Sequence, residues 1–256
     1  MNKKTRRALV TGATGGIGTA LCHRLIEEGY AIDLVGRQSA KLSELERSLK
    51  TAKPGAEVRT FVCDFSDEAT FANLDSSTPL DAIILMPPQP SAFSAPIPEQ
   101  TEWAELFNAS FIGPLRFLNH VLPCLKKARN AKVVIISGIT SLHVLGTHPT
   151  SPAIRGAWRA QAKALSLHWG EFGITVNTLS LGGVLTPTVL ARLEKKAELA
   201  GISFQDQMKL ETHNVPLGRY ATPEVVAKAV SGLLSEFSDH ITGNNIVCDG
   251  GFIRSY

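Results

Sequence analysis

Residues 7–18 read RALVTGATGGIG, an apolar run followed by a turn rich in glycine. Residues 7–11 have the length and apolar character of a buried strand, and residues 16–29 have the period of an amphipathic helix. Glycines in a strand-to-helix turn let the backbone approach a pyrophosphate closely, and the helix N-terminus adds unpaired N–H groups and a dipole. The turn therefore predicts a dinucleotide site, with a purely structural glycine turn as the alternative. The predicted site residues are Gly12, Thr14, Gly15, Gly16, Ile17 and Gly18.

The rest of the chain alternates short apolar runs with longer amphipathic segments, which is typical of a parallel sheet covered by helices. The predicted strands are residues 7–11, 31–36, 57–63, 81–86, 132–137, 174–179 and 245–248. The predicted helices are residues 16–29, 39–52, 67–74, 101–128, 151–171 and 222–236. We therefore expect an α/β fold of the Rossmann type, a doubly wound, seven-stranded, mainly parallel sheet with helices on both faces.

Length and composition indicate a single domain over residues 1–256. The chain has 256 residues, of which 44% are hydrophobic and 19% charged, which suffices for one large core but not for two full domains. Residues 86–98 contain five prolines, so we expect a loop at the carboxyl end of the fourth strand. Residues 188–214 are polar and weakly periodic, which predicts either a surface helix pair or a mobile lid over a substrate site.

Charge and cysteine usage exclude several classes of partner. The net charge is +3, and the sole basic cluster lies in residues 3–7, so we expect no nucleic-acid partner. No stretch reaches the ~18 apolar residues that a membrane span needs, and the N-terminus lacks the pattern of a secretory signal, so we expect a cytoplasmic protein without a membrane partner. The four cysteines form no C-x-x-C pair, which favours buried thiols over a disulfide or metal site.

The end of the second strand indicates which dinucleotide binds. A carboxylate near this point would hold the ribose 2′-hydroxyl of NAD, whereas an arginine can pair with the 2′-phosphate of NADP. The strand ends at Gly36 and Arg37, which predicts NADP(H), with a solvated arginine as the alternative. Asp33 lies too early in the strand to reach the ribose. Asp64 follows the third strand, and either contacts the adenine amino group or caps the helix that begins near Asp67.

These motifs together resemble the short-chain dehydrogenase/reductase family. The similarity runs from about residue 6 to the end of the chain, and includes CDF at residues 63–65, GITVN at 173–177, TP at 186–187 and ITGNNIVCDGG at 241–251. The resemblance implies an NADP(H)-binding oxidoreductase that acts on a small-molecule substrate as a homotetramer or homodimer. It also implies the further cofactor residues Asp64, Phe65, Val184 and Thr186, the last two at the nicotinamide amide.

The chain departs from this family at the residues that perform carbonyl chemistry. Family members carry a Y-x-x-x-K motif, in which the lysine lowers the pKa of the tyrosine that donates a proton. Counting back from Gly173 places Arg155 at the lysine position and Ser151 at the tyrosine position. The family's serine and asparagine fall at Gly138 and Ser110. The chain's tyrosines are Tyr30, Tyr220 and Tyr256, and none lies between the fifth and sixth strands.

Three residues are candidates to act in place of the missing groups. Arg155 offers a fixed positive charge that can hold an anion, but it cannot donate a proton at neutral pH. His148 lies in the loop before the helix that carries Ser151, and His143 lies in the same loop. Each of the two either donates a proton or is an exposed loop histidine. Ser151 either relays a proton or caps its helix ahead of Pro152.

Three functions remain open at this point. The first is a reductase of an activated, conjugated double bond or carbonyl. The second is a catalytically silent NADP(H)-binding or assembly subunit, and the third is an enzyme of non-redox chemistry on the same fold. Hydride addition to a conjugated double bond gives an enolate, which needs electrostatic stabilisation more than a strong acid. The arginine at position 155 favours the first function.

Overall fold

The computed structural model describes residues 5–75, 77–89, 97–145 and 150–255. Its strands are β1 (Arg7–Thr11), β2 (Ala31–Gly36), β3 (Val58–Val62), β4 (Ala82–Leu85), β5 (Lys132–Gly138), β6 (Thr175–Leu181) and β7 (Asn245–Cys248). Within the described ranges these seven strands form one sheet in the order β3-β2-β1-β4-β5-β6-β7, and every neighbouring pair is parallel. The predicted Rossmann-type sheet is confirmed.

Helices cover both faces of the sheet. They are α1 (Gly16–Glu27), α2 (Ser39–Ala52), α3 (Gln100–Phe107), α4 (Gly113–Lys126), α5 (Ser151–Trp169), α6 (Pro187–Ala200), α7 (Phe204–Thr212) and α8 (Pro223–Leu234). One core lies under α1, α2 and α8 and includes Leu21 and Val230, and the other lies under α4 and α5 and includes Phe117 and Trp158. Two cores on opposite faces of one sheet make a single three-layered domain.

The strand order places the candidate site at the carboxyl ends of the central strands. The strand β1 lies between β2 and β4, so the order of strands reverses at this point. In open parallel sheets, ligands bind in the crevice outside the carboxyl ends of the strands where the order reverses. The glycine turn follows β1 and residues 86–89 follow β4, so both lie at this crevice.

The prediction of one continuous helix over residues 101–128 is wrong in detail, because the structure divides this segment into three helical pieces. The helix α3 ends at Phe107, a π-helical turn spans Asn108–Ile112, and α4 begins at Gly113. Gly113 packs so closely on the Phe65 carbonyl that a Cβ atom there would collide with it. The π-helical turn therefore ends where the chain lies against the segment after β3, and such π-bulges recur at functional sites.

Other segments agree with the predictions in kind and differ in detail. The predicted helix 67–74 is a 3₁₀ helix, Glu68–Asn73. The segment 188–214 folds as the helix pair α6 and α7. Within the predicted loop 86–98, residues 86–89 and 97–98 have no regular structure, and residues 90–96 lie outside the described part of the chain.

All four cysteines are free thiols, as predicted. Cys22, Cys63 and Cys124 are buried, whereas Cys248 is half-buried, so the prediction of a core position is wrong for the last. Among the described residues, no helix is long and apolar enough to cross a membrane. The same residues contain no group of three or more histidine, cysteine or acidic side chains placed to hold a metal ion.

Candidate active site

The glycine turn places the start of α1 directly against the end of β1. Gly12 has a φ of +60°, which favours glycine. A Cβ atom at Gly18 would lie 2.8 Å from the Ala13 Cα and would collide with the Gly12 carbonyl, so glycine is required for this packing. Gly15 is the N-cap of α1, and no side chain caps the helix. The backbone N–H groups at the start of α1 therefore face the crevice without a side-chain acceptor, as an anion site requires.

The segment after β6 lies against the same turn. A Cβ atom at Gly16 would lie 2.8 Å from Pro187 Cδ and 3.1 Å from Thr186 Cβ. Thr186 caps α6 by accepting a hydrogen bond from the Val189 N–H, and Val184 pairs with Ala221 in a parallel bridge. The structure therefore brings together the glycine turn, Val184 and Thr186, which are far apart in the sequence.

Arg37 and Asp64 lie at the other end of the crevice. Arg37 is exposed just after β2, and its charge contributes to a lowered pKa of Asp64, whose main cause is the hydrogen bond from the Ser66 hydroxyl. The Asp64 carboxylate accepts hydrogen bonds from the Ser66 N–H at 2.9 Å and the Ser66 hydroxyl at 2.7 Å. Asp67, not Asp64, caps the 3₁₀ helix that follows, so the capping alternative for Asp64 is wrong. Phe65 packs edge-on against Phe117.

Asp33 is occupied elsewhere. Its buried carboxylate forms ion pairs with Arg7 at 3.0 Å and Arg59 at 2.7 Å. Three hydrogen bonds from these guanidinium groups hold the Asp33 carboxylate in place inside the protein. The expectation that Asp33 does not reach the ribose agrees with this arrangement.

Arg155 lies in α5 with its guanidinium against the end of β5. Its Nη1 donates to the Thr140 hydroxyl at 2.9 Å, and its Nη2 donates to the side-chain carbonyl of Gln89. Both partners are neutral, and Arg155 forms no ion pair among the described residues. Burial lowers the pKa of Arg155, but an arginine remains charged at neutral pH. The guanidinium is therefore a half-buried cation without a counter-charge in the described part of the chain.

Gly138 and Arg155 fit each other. A Cβ atom at Gly138 would collide with the Arg155 guanidinium. A serine at position 138 and an arginine in this rotamer at position 155 therefore cannot coexist. The residues that lie at the predicted positions of the family's serine and lysine are therefore coupled sterically.

Ser151 joins the same hydrogen-bonded group. Its side chain is buried, and its Oγ lies 2.9 Å from the Thr140 hydroxyl, which itself accepts from Arg155. The N-cap of α5 is Thr150, and Ser151 is the first residue inside the helix, so the capping interpretation of Ser151 is off by one position. Thr140 was missed by the sequence analysis, because its role depends on contacts through space.

The two histidine candidates are placed differently. His148 lies outside the described residues. His143 is exposed and packs edge-on against the Phe252 ring, with ring centroids 5.8 Å apart. His143 is therefore held at the rim of the cavity that Phe252 lines.

A cavity of about 260 Å³ opens next to Arg155. Its lining combines polar residues, which include Thr140, Ser151 and Arg155 and the acidic Glu211 and Asp249, with apolar residues such as Leu145 and Val215. Small-molecule sites typically combine apolar walls with a few placed polar groups, so this cavity fits a small substrate.

The far wall of the cavity contains Tyr220 and Glu211, neither of which the sequence analysis selected. The Tyr220 ring covers Gly183 so closely that a Cβ atom there would collide with it, and its phenol donates to the Glu211 carbonyl at 3.1 Å. Lys196 of α6 pairs with the Glu211 carboxylate and is the main cause of that group's lowered pKa. Burial raises the pKa of Tyr220. These contacts attach the helix pair α6 and α7 to the turn before α8.

Comparisons with known proteins agree with this architecture. Residues 12–253 match the family described as enoyl-(acyl carrier protein) reductase. The chain is 32% identical to L-xylulose reductase of Bos taurus, over 98% of this chain and 97% of that protein. It is 29% identical to a diacetyl reductase, (S)-acetoin forming, of Staphylococcus epidermidis, over 97% and 99% of the two chains.

A solved structure with bound NADPH matches the fold over nearly the whole chain. It is the NADPH-bound short chain oxidoreductase of Pseudomonas aeruginosa, described as containing an atypical catalytic center. That chain is 25% identical, with a TM-score of 0.85 over 98% of each chain. From the fold, the glycine turn and these matches, the chain belongs to the short-chain dehydrogenase/reductase family of oxidoreductases.

Proposed function

We propose that this chain is an NADP(H)-dependent reductase with a remodelled active site, which reduces a conjugated double bond or an activated carbonyl of a small molecule. The observation that carries the proposal is the Arg155 guanidinium, a cation with neutral hydrogen-bond partners beside the substrate-sized cavity. A fixed charge there serves a reaction in which negative charge develops on a substrate oxygen.

Cofactor binding is supported by the geometry of the crevice. The uncapped start of α1 would hold the pyrophosphate, Arg37 the 2′-phosphate, and Thr186 with the Val184 backbone the nicotinamide amide. Asp64 and Phe65 lie at the adenine end of the crevice. The Pseudomonas aeruginosa relative contains NADPH, which supports the same cofactor here.

The chemistry follows from what each side chain can do. Bound NADPH supplies a hydride. If the hydride adds to the β carbon of an enone, the oxygen becomes an enolate, and Arg155 stabilises that charge. Because the Thr140 oxygen accepts from Arg155, donation of the Thr140 proton to Ser151 would leave the Ser151 hydroxyl free to donate into the cavity. The proton that completes the reaction comes to the α carbon from solvent or from His148. The description of the matching family, enoyl-(acyl carrier protein) reductase, supports double-bond reduction.

The helix pair over residues 188–214 would act as the lid of the substrate cavity. Glu211 of α7 lines the cavity, and its contacts with Lys196 and Tyr220 hold the pair against the site. A segment that closes over a cavity excludes water from a charged intermediate. Cytoplasmic location, and assembly as a homotetramer or homodimer, stay predictions from the sequence.

Stereospecific deuteride transfer from labelled NADPH to a panel of enones tests the proposal. Arg155→Met removes the charge at similar length, and we expect turnover to fall by about 10²-fold or more with a smaller change in NADPH affinity. Arg116→Met, which removes an exposed arginine of α4, is the matched control and should leave turnover unchanged. Equal transfer by the parent and Arg155→Met would remove Arg155 from the mechanism.

A catalytically silent NADP(H)-binding subunit is the second candidate. One observation favours it. Tyr220 is the described tyrosine in the cavity wall, and its phenol donates to Glu211 on the lid. Tight NADPH binding without deuteride transfer to any acceptor would support this candidate and contradict the reductase.

A further inference from the structure

The charged groups in the wall of the substrate cavity differ in how far their hydrogen bonds are satisfied. The acidic side chains that line it in the described part of the chain are already engaged. Both oxygens of Asp249 accept from backbone N–H groups, those of Gly251 and Ile253, each at 2.8 Å. The Glu211 carboxylate is held by the lysine of α6. The guanidinium of Arg155 is therefore the charged group of the wall that still has donors to offer.

No acidic side chain of the chain supplies a counter-charge to Arg155. The guanidinium forms no ion pair within the described ranges, and the residues outside those ranges include no aspartate and no glutamate. The phosphates of bound NADPH would lie at the start of α1 and at Arg37, not at α5. Because a half-buried charge is costly when it is unpaired, we expect the substrate to bring the counter-charge.

The remaining N–H groups of Arg155 suffice to hold more than one oxygen. A guanidinium has five N–H donors in one plane. Nη1 gives one of them to Thr140 and Nη2 gives one to Gln89, which leaves three of the five without a partner in the described structure. The two neutral partners also fix the plane of the guanidinium. Such a planar fork matches the geometry of a carboxylate better than a point charge does.

The position of the carboxylate in the substrate follows from the chemistry, and this step rests on the proposed function. In the reduction of a conjugated double bond, negative charge develops on the carbonyl oxygen, and Arg155 stabilises it. One guanidinium serves both that oxygen and a carboxylate only when the two groups are adjacent. They are adjacent in a 2-oxo acid, in which the carboxylate and the oxo group lie on neighbouring carbons.

We propose that the substrate is a small 2-oxo carboxylic acid with a double bond conjugated to the oxo group, and that Arg155 binds its carboxylate and its oxo oxygen together. Addition of hydride to the far carbon of the double bond breaks the π bond and places the electron pair on the oxo oxygen as an enolate, beside Arg155. A proton from solvent then adds to the α carbon, and the reaction oxidises NADPH to NADP⁺. The cavity of about 260 Å³ is smaller than the ~300–1,000 Å³ that drug-sized ligands occupy, so the acid is small.

Calorimetric titration of the NADP⁺-saturated protein tests the binding without turnover, because the oxidised cofactor has no hydride to give. The probes are benzylidenepyruvate, its methyl ester and cinnamate. The ester has the same body without the charge, and cinnamate has a carboxylate without the oxo group. We expect benzylidenepyruvate to bind about 10-fold or more tightly than the ester, which lacks the charge-assisted pair, and more tightly than cinnamate, which lacks the second oxygen.

Variants separate Arg155 from the positive nicotinamide ring of NADP⁺, which attracts any carboxylate. Arg155→Met should weaken binding of the acid by about 10-fold or more and change binding of the ester little, so that the preference for the acid disappears. Arg155→Lys keeps the charge without the planar fork and should retain only part of the preference. Arg159→Met, which removes an exposed arginine one turn further along α5, is the matched control and should bind every probe like the parent. Circular dichroism checks that each variant is folded.

Two binding results would overturn the proposal. They are equal affinities of the parent for the acid and the ester, and a preference for the acid that survives in Arg155→Met. Deuteride transfer from labelled NADPH to the same two compounds separates this proposal from the proposed function. Preferential binding of the acid without transfer supports the carboxylate site and contradicts the reductase. Transfer to the acid and the ester with equal kcat/KM supports the reductase and contradicts the carboxylate site.

Discussion

The cofactor crevice and the substrate cavity lie side by side, and they relate to the sequence in different ways. In the crevice, the decisive contacts are made by backbone atoms, and the glycines at positions 16 and 18 are required because a Cβ atom would strike Thr186, Pro187 or Ala13. In the cavity, the decisive contacts are made by the side chains of Arg155, Thr140 and Ser151. The crevice keeps the family's glycine pattern, whereas the replacement of the family's side chains in the cavity stays a prediction from the sequence.

This difference teaches which part of the site can change. A backbone site depends on chain geometry, so a substitution there disturbs the packing of α1 on β1. A side-chain site can be rebuilt on an unchanged backbone when neighbouring positions change together, and the contact between Gly138 and Arg155 would couple such a change.

The largest expected effect concerns ordinary carbonyl reduction. Loss of general acid catalysis lowers the rate by about 10²–10⁴-fold. We therefore expect this protein to reduce simple ketones and 3-oxoacyl thioesters more slowly than a typical enzyme, by that factor. The double variant Ser151→Tyr, Arg155→Lys should restore only part of the rate, because Gly138 and Ser110 still lack their family side chains. Steady-state assays with NADPH check this, and turnover of the parent near the usual enzyme median of about 10 s⁻¹ would contradict it.

The next effect breaks the fit between Gly138 and Arg155. Gly138→Ser introduces a Cβ that would collide with the guanidinium, so the Arg155 side chain must shift to another rotamer. We expect enone reduction to fall by up to about 10²-fold, and by less than in Arg155→Met, because the charge is displaced from its present position but not removed from the protein. Gly156→Ser, in the same helix with open space around it, is the matched control. Unchanged turnover in Gly138→Ser would show that the position of Arg155 is unimportant.

The smallest of the three effects sharpens the assignment of the crevice. Arg37→Ala should remove most of the preference for NADPH over NADH, since a charge-assisted pair contributes about 1.5–3 kcal/mol, or roughly 10- to 150-fold in affinity. Arg47→Ala, an exposed arginine of α2, should keep the preference. Calorimetry with NADPH and with NADH measures the preference, and equal affinities for the two cofactors in the parent protein would contradict the role of Arg37.

Most of the fold could be predicted from local sequence pattern. The bounds of β1, β2, α2 and β7 agree with the prediction to the residue, because buried parallel strands and amphipathic helices are set by the spacing of apolar side chains. The π-helical turn at Asn108–Ile112 was not predicted, because the apolar spacing continues through residues 101–128 and carries no signal for an interruption.

The site was predictable to the extent that it depends on adjacent residues. The glycine turn and Arg37 follow directly from motifs at the ends of two strands, and Arg155 was selected by counting back from Gly173 to the family's lysine position. The contact of Arg155 with Gly138 was not predicted. Thr140, Glu211 and Tyr220 were missed, because each becomes part of the cavity only when distant segments pack together. The roles of the selected residues stay predictions.

The fit of Arg155 against Gly138 also has a consequence for the history of such a site. A serine at position 138 would exclude the present rotamer of Arg155, because its Cβ would meet the guanidinium. If the cavity was remodelled as proposed, an ancestor that gained the arginine while it still had serine would have held the charge in another place. The order in which the two positions changed would therefore decide when the positive charge reached the cavity.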